Sequence, residues 1–198
     1  MLTCASDSHQ YVRRLGIIEL MNFLITLLKL CVRKAQPDEL PYNQTAAILL
    51  VFIYAAVSWF SLVKLNAFSD PIIYALFIAG TQILGVFILL RIFSKLNRFN
   101  QTLTALLGTS ILISIASSVI AAIAPIPLVA GFLLFWQLYI PTTIIKSALE
   151  IPAVIAFFSY IGIVFFSFIF TAVVFPDFMP ELEAWLQSIN EQTQQVQS

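Results

Sequence analysis

Serines recur at four-residue steps within one long apolar stretch of the chain. Ser110, Ser114 and Ser118 follow one another at this interval, and Ala122 continues the series. On a helix this spacing gives one face of small side chains, which lets a neighbouring helix approach closely and offers hydroxyls for interhelical hydrogen bonds. The alternative is a polar path for a solute. Because a helical serine can also bond its own backbone, we favour helix packing.

A few amides and carboxylates stand in or beside the apolar stretches. Gln82 and Gln137 are the most deeply placed amides, and each is expected to bond across to another helix. Asp70 and Glu150 stand at the ends of stretches, shortly before a proline. Both have the character of helix-start residues whose charge suits the N-terminal helix dipole. The alternative is a role with an ion or a proton, since ionisable groups near a membrane interior often serve function.

The chain offers little else for chemistry. Two cysteines, Cys4 and Cys31, and a single histidine, His9, are too few for a Cys/His metal cluster. The sequence has no Gly-rich phosphate loop, no GxSxG elbow and no HExxH pair. Its formal net charge is zero, which removes the electrostatic footprint of nucleic-acid binding. The sequence therefore predicts a protein that is not an enzyme, with no catalytic, cofactor-binding or metal-binding residues.

The composition indicates whether the chain folds in water or in a lipid bilayer. Of its 198 residues, 60% are hydrophobic and only 10% are charged, and the mean hydropathy is +0.95. A soluble domain carries about 25% charged residues. So few charges cannot cover an aqueous surface of this size. The sequence therefore predicts an integral membrane protein in contact with the lipid bilayer.

The apolar stretches predict an all-α, polytopic transmembrane helical bundle. A membrane-spanning helix needs roughly 20 predominantly apolar residues. Pro125 and Pro127 could kink one long helix, but a continuous helix across them would overrun the bilayer, so we expect a turn between two helices. Five spans are predicted, at 45–63, 71–90, 103–124, 128–145 and 151–175.

The basic residues predict an orientation. Nine of the ten lysines and arginines precede the first span or lie in the loops on the same side, and only Lys64 lies on the opposite side. Basic residues favour the cytoplasmic side of a membrane. We therefore expect a cytoplasmic N-terminal segment, residues 1–44, and an outer-side tail, residues 176–198. The most fitting location is the inner membrane of a bacterium.

Both flanking segments carry amphipathic patterns. In the N-terminal segment, polar residues recur every three or four positions over about 15–34, which predicts an amphipathic helix lying in the membrane interface. The alternative is a helix packed beneath the bundle. Met21 within it is a second candidate for the start of translation. In the tail, apolar residues of 180–189 share one face of a short predicted helix. The polar residues of the N-terminal stripe are Glu19, Asn22, Thr26, Lys29 and Arg33.

This arrangement resembles the Yip family, membrane proteins named for interaction with Ypt/Rab GTPases and also present in bacteria. The likeness lies in the amphipathic N-terminus, the five spans with short loops, and the segment FNQTLTALLG at 99–108 that opens the third span. It covers roughly 40–175. Family members of eukaryotes have a longer hydrophilic N-terminus that meets the trafficking machinery. The segment here is short and apolar, which favours a bacterial relative.

Taken with the missing catalytic groups, these patterns predict a scaffold or accessory protein of the membrane. It would bind other membrane proteins or further copies of itself, or shape the bilayer. The alternative is a small permease or channel acting as an oligomer, because five spans with so few polar groups hardly enclose a path.

Overall fold

The computed structural model describes residues 21–32, 34, 37–40, 44–65, 69–123, 127–181, 183, 184 and 187, and the account that follows concerns these residues. They form helices and connections without a strand. The short helix α1 covers Met21–Cys31. The long helices are α2 (Gln44–Leu65), α3 (Pro71–Ile92), α4 (Phe99–Ile123), α5 (Pro127–Leu149) and α6 (Ala153–Val174). Short 3-10 turns lie at Pro37–Glu39 and Leu96–Arg98.

The five long helices have the length that a membrane requires. They contain 22 to 25 residues each, and at about 1.5 Å per residue they exceed the roughly 30 Å of a hydrocarbon core. Within the described residues, these five are apolar enough to cross a membrane. The prediction of an all-α membrane protein with five spans is confirmed.

Prolines set several of the helix boundaries. Pro71 and Pro127 occupy the first turn of α3 and α5, where a missing backbone N–H costs nothing. Pro152 directly precedes α6. Pro141 lies within α5 and is buried, yet the helix continues to Leu149, beyond the end predicted for the fourth span.

The long helices form a closed ring. Following the packed neighbours around it, the order is α2, α4, α5, α6, α3 and back to α2, and α3 also touches α4 across the ring. The turn Pro37–Glu39 lies against α4 and α5. Because consecutive long helices run in opposite directions, α2, α4 and α6 all start at one end of the ring.

The first half of α4 is the most enclosed part of the molecule. Every residue of 102–109 is buried, which requires neighbours on all sides of the helix. Later in α4, Ile115 and Val119 are about half exposed, at 49% and 52%. The helix is therefore a core element over its first half and a surface element over its second.

The outer surface of the ring is apolar. Phe158, Phe165 and Val173 on α6 are each more than 60% exposed, as is Phe52 on α2. Contiguous apolar surface of this kind is unsuited to water and typical of contact with a membrane. The exposed apolar side chains around the ring therefore support the assignment of the long helices as membrane spans.

The two ends of the ring carry opposite charge. We call the end formed by the starts of α2, α4 and α6 the basic end, because Arg91, Lys95, Arg98 and Lys146 lie there. The other, acidic end carries Asp70, Asp177, Glu181 and Glu183.

At the acidic end the segment after α6 folds back on α3. A carboxylate oxygen of Glu181 accepts from the backbone N–H of Ser69 (3.2 Å) and the other from the Tyr74 hydroxyl (3.3 Å). The ring centroid of Phe175 lies 4.7 Å from that of Tyr74. The tail helix predicted for 180–189 lies largely outside the described residues.

The closest approach of α3 and α6 generates a stability prediction. A Cβ atom at Gly85 would lie 2.8 Å from Cγ2 of Ile163, a β-branched side chain with little rotameric freedom in a helix. We expect Gly85→Ala to destabilise the fold by about 1–3 kcal/mol through overpacking. The measurement is thermal unfolding of the purified protein in detergent.

Gly80 provides the matched control on the same helix. A Cβ there would meet no atom within 4 Å, so Gly80→Ala should be neutral or slightly stabilising, since alanine is the better helix former. Equal melting temperatures for the two variants would contradict the close α3–α6 contact.

Candidate functional site

Helix α1 lies against the bundle through one face. Leu27 and Leu30 are only 2% and 4% exposed and belong to the same buried cluster as Leu106, Ile140 and other residues of the long helices. Phe23, on the same face, is half-buried against this cluster and a second one around Leu107. The described part of α1 is therefore an integral part of the fold.

Gly108 of α4 provides the seat for this helix. A Cβ atom at Gly108 would lie 2.7 Å and 2.9 Å from the two terminal carbons of Leu27. A larger residue at this position would require the end of the Leu27 side chain to move, so glycine permits this close contact of α1 with α4. We call this contact the Leu27–Gly108 seat. At about 1.5 Å per residue, Gly108 lies roughly 14 Å along α4 from its start, which is close to half of the hydrocarbon thickness of about 30 Å.

The chain returns from this depth to the basic end before α2 begins. The side-chain amide of Gln101, near the start of α4, donates to the backbone carbonyl of Leu40 at 3.3 Å. Leu40 itself is 1% exposed. With Leu27 beside Gly108 and Leu40 beside Gln101, both α1 and the Pro37–Glu39 turn lie along the basic-end half of α4.

The outward surface of α1 is mostly apolar. Of the polar stripe predicted from sequence, Asn22 and Lys29 are exposed, Thr26 bonds the Asn22 carbonyl (2.9 Å), and Glu19 and Arg33 lie outside the described residues. The buried face favours the alternative of a helix packed on the bundle over a helix lying free in the interface. Exposed apolar side chains nevertheless share the outward surface: Met21, Leu24, Ile25, Leu28 and Val32.

An ion-paired cluster fastens the basic end. The Glu150 carboxylate lies 2.8 Å from the Lys95 ammonium and 2.7 Å from the Arg98 guanidinium. Arg98 also donates to the backbone carbonyls of Ala148 (3.2 Å) and Ser147 (3.4 Å), which are unpaired in the last turn of a helix. The start of α4 is thereby joined to the end of α5.

The same cluster keeps Glu150 ionised. The hydrogen bond from Lys95, and then the charge of Arg98, lower the pKa of the Glu150 carboxyl. A lowered pKa in the folded state means that the pairing contributes at neutral pH and is lost as the pH falls through that pKa. Because the carboxylate is exposed, solvent screens the contribution.

The role of Glu150 differs from the helix start that its sequence position indicates. Glu150 has a positive φ of 59° and follows the end of α5, while Pro152 occupies the N-cap position of α6. Asp70 does occupy the N-cap of α3, although its side chain makes no capping hydrogen bond. A contact between distant loops carries no local sequence signal, so the Glu150 cluster was not predictable from spacing.

The serine stripe passes from packed to open along α4. Ser110 and Ser114 are half-buried and Ser118 is exposed. Ala122 lies in the same helix, but its side chain is outside the description. Ser114 and Ser118 line a groove of about 640 Å³ between α2 and α4. The stripe therefore faces a neighbouring helix only in part, and Ser118 lies on the outer surface of the ring.

The two glutamines are not brought together. Gln82 is half-buried on α3 and Gln137 is exposed on α5, and these two helices are not neighbours in the ring. Among the described residues there is also no group of three or more His, Cys, Asp or Glu side chains that could hold a metal ion.

No family model, curated protein or solved structure matches the chain. Function is therefore argued from the geometry of the chain itself. The feature with the clearest consequence for a membrane is the Leu27–Gly108 seat.

Proposed function

We propose that the protein is a non-enzymatic accessory or scaffold protein of the membrane that shapes the bilayer through α1. The observation that carries this proposal is the Leu27–Gly108 seat, which holds a short apolar helix against the basic-end half of α4. The described residues of this helix, Met21–Cys31, form a short apolar element. We place it mainly in the leaflet at the basic end, because the chain continues from it to Leu40, which lies beside Gln101 near the start of α4.

A helix confined to one leaflet makes the protein wider there. At the basic end, lipid meets α1 in addition to the five-helix ring, whereas the described residues add only the segment after α6, folded back on α3, at the acidic end. Leu24 and Leu28 on the outward surface of α1 are 43% and 56% exposed, so they take the place of lipid tails in that leaflet. An insertion into a single leaflet expands that leaflet relative to the other. This favours a bilayer that is convex on the side of the basic end.

The family resemblance is consistent with this role. The segment FNQTLTALLG at 99–108, which is part of the likeness to the Yip family, ends at Gly108, and its residues 102–108 are buried. We extend the proposal to a bacterial Yip-like protein that also associates with other membrane proteins or with its own copies. The permease alternative gains no support from the serine stripe, since Ser118 opens to the outer surface of the ring.

Bilayer shaping is tested by reconstitution. Purified protein is added to preformed liposomes at increasing protein-to-lipid ratio, and vesicle diameter is measured by electron cryomicroscopy. We expect the wild type to give smaller or tubular vesicles as the ratio rises. Replacing Leu24 and Leu28 together by Asn should abolish this effect, because the outward face of α1 then no longer displaces lipid tails.

The control is Val154→Asn, which places the same amide on an exposed position of α6 at the same end of the ring; Val154 is 66% exposed. This variant should shape vesicles like the wild type. Unchanged vesicles with the wild type, or equal activity of the α1 variant and the wild type, would contradict the role of α1.

The orientation is a separate part of the proposal. We propose that the basic end faces the cytoplasm of a bacterium, because Arg91, Lys95, Arg98 and Lys146 lie there and, among the described lysines and arginines, only Lys64 lies opposite. A reporter that is active only in the periplasm should give signal when fused after Phe175 and none when fused after Arg98. The reverse pattern would show the opposite orientation.

A further inference from the structure

The groove between α2 and α4 lies in the acidic-end half of the ring. Its volume is about 640 Å³, within the roughly 300–1,000 Å³ typical of small-molecule sites. Both helices run toward the acidic end, so the residues nearest that end come last in each. One wall carries Ile53, Val57 and Phe60 of α2, and the other carries Ile115 and Val119 of α4.

The walls of the groove suit hydrocarbon. Ile53, Phe60, Ile115 and Val119 are 39% to 53% exposed, so they form open apolar surface rather than a packed helix contact. Ser61, which also lines the groove, donates its hydroxyl to the carbonyl of Val57 in its own helix at 2.9 Å. A hydroxyl satisfied in this way adds little polarity to the wall.

Lys64 lines the groove where it reaches the acidic end. It is the last residue of the α2 span, and its ammonium lies 4.7 Å from the ring centroid of Phe60. No carboxylate of the described residues lies within ion-pair distance of Lys64. The ion pairs among the described residues join Lys95 and Arg98 to Glu150. Of the lysines and arginines that the structure describes, Lys64 alone lies at this end. The groove thus combines apolar walls with one cation at its mouth.

We propose that this groove binds one anionic glycerophospholipid, with the phosphate at Lys64 and an acyl chain along the apolar walls. Charge complementarity selects the headgroup, because a zwitterionic lipid would bring its own cation to Lys64. The exposed hydroxyl of Ser118 in the same groove supplies a donor for an ester carbonyl just below the phosphate. This site is on the opposite half of the ring from α1 and does not depend on the function proposed for α1.

A helix of a second copy is the other occupant that apolar walls would accept. We favour a lipid because the cation Lys64 lies at the mouth of the groove. Occupation by a second copy is a distinct outcome of the test below.

The test is native mass spectrometry of the detergent-solubilised protein. The probe is an equimolar mixture of phosphatidylglycerol and phosphatidylcholine with identical acyl chains. We expect the wild type to retain one phosphatidylglycerol with a preference of about fivefold, since one lysine near an anionic headgroup contributes about 1 kcal/mol and 1.4 kcal/mol corresponds to a factor of ten. This competition needs no variant, and equal retention of both lipids by the wild type would overturn the proposal.

Two pairs of variants separate the headgroup from the groove. Lys64→Gln should remove the preference, whereas Lys146→Gln, which changes an exposed lysine at the basic end, should keep it. Ser118→Leu should strongly lower retention of both lipids, because the larger side chain fills the groove, whereas Ser118→Ala should lower it only slightly, because it removes one hydroxyl donor and leaves the groove open. A leucine at this exposed position faces lipid and should leave the fold intact.

Three results would overturn the proposal. The first is an unchanged preference in Lys64→Gln, and the second is equal loss in Lys64→Gln and Lys146→Gln, which would indicate general surface charge. The third is a dimer without bound lipid whose abundance falls in Ser118→Leu, which would assign the groove to a second copy of the chain. Gel filtration of each variant confirms that it is folded before lipid retention is compared.

Discussion

The close packing around the first half of α4 is the constraint on which the rest of the structure depends. Lipid tails are as apolar as leucine, so helices in a membrane associate through packing and hydrogen bonds rather than through exclusion from water. The enclosed segment 102–109 supplies that packing. Gly108 at its end admits Leu27, and Gly85 on α3 admits Ile163 in the same way. The remaining long helices are then held in place by packing against their neighbours in the ring.

Within the five long helices and the described connections between them, charged side chains lie only at the two ends of the ring. The two ends differ in how these charges are paired. At the basic end, Glu150 is paired with Lys95 and Arg98, so the charges fasten α4 to α5 beside the half of the ring that holds α1. At the acidic end, Lys64 has no carboxylate partner among the described residues and stands at the mouth of an apolar groove. The paired cluster stabilises the fold, whereas the single lysine is free to meet a lipid.

Local signals predicted the architecture, and contacts between distant segments escaped them. Runs of apolar residues and prolines such as Pro71 and Pro127 act within one helix, so the five spans could be found from sequence. The order of helices in the ring depends on which helix faces meet. The four-residue spacing of the serines could not show that Ser114 is half-buried while Ser118 is exposed. The pairing of Glu150 and the seat at Gly108 likewise join segments far apart in the chain, where no spacing rule applies.

The Leu27–Gly108 seat is tested most directly by cross-linking. With Cys4 and Cys31 replaced by serine, cysteines are introduced at Leu27 and Gly108, and the protein is oxidised in native membranes. This pair is chosen because a Cβ atom at Gly108 would lie 3.4 Å from Cγ of Leu27. A second pair joins Gly108→Cys to Leu28→Cys, because Leu28 is 56% exposed on the outward surface of α1. The account predicts a disulfide, seen as a mobility shift reversed by reductant, for the first pair and none for the second. Absence of the first cross-link, or equal yields for both pairs, would contradict the seating of α1 on α4.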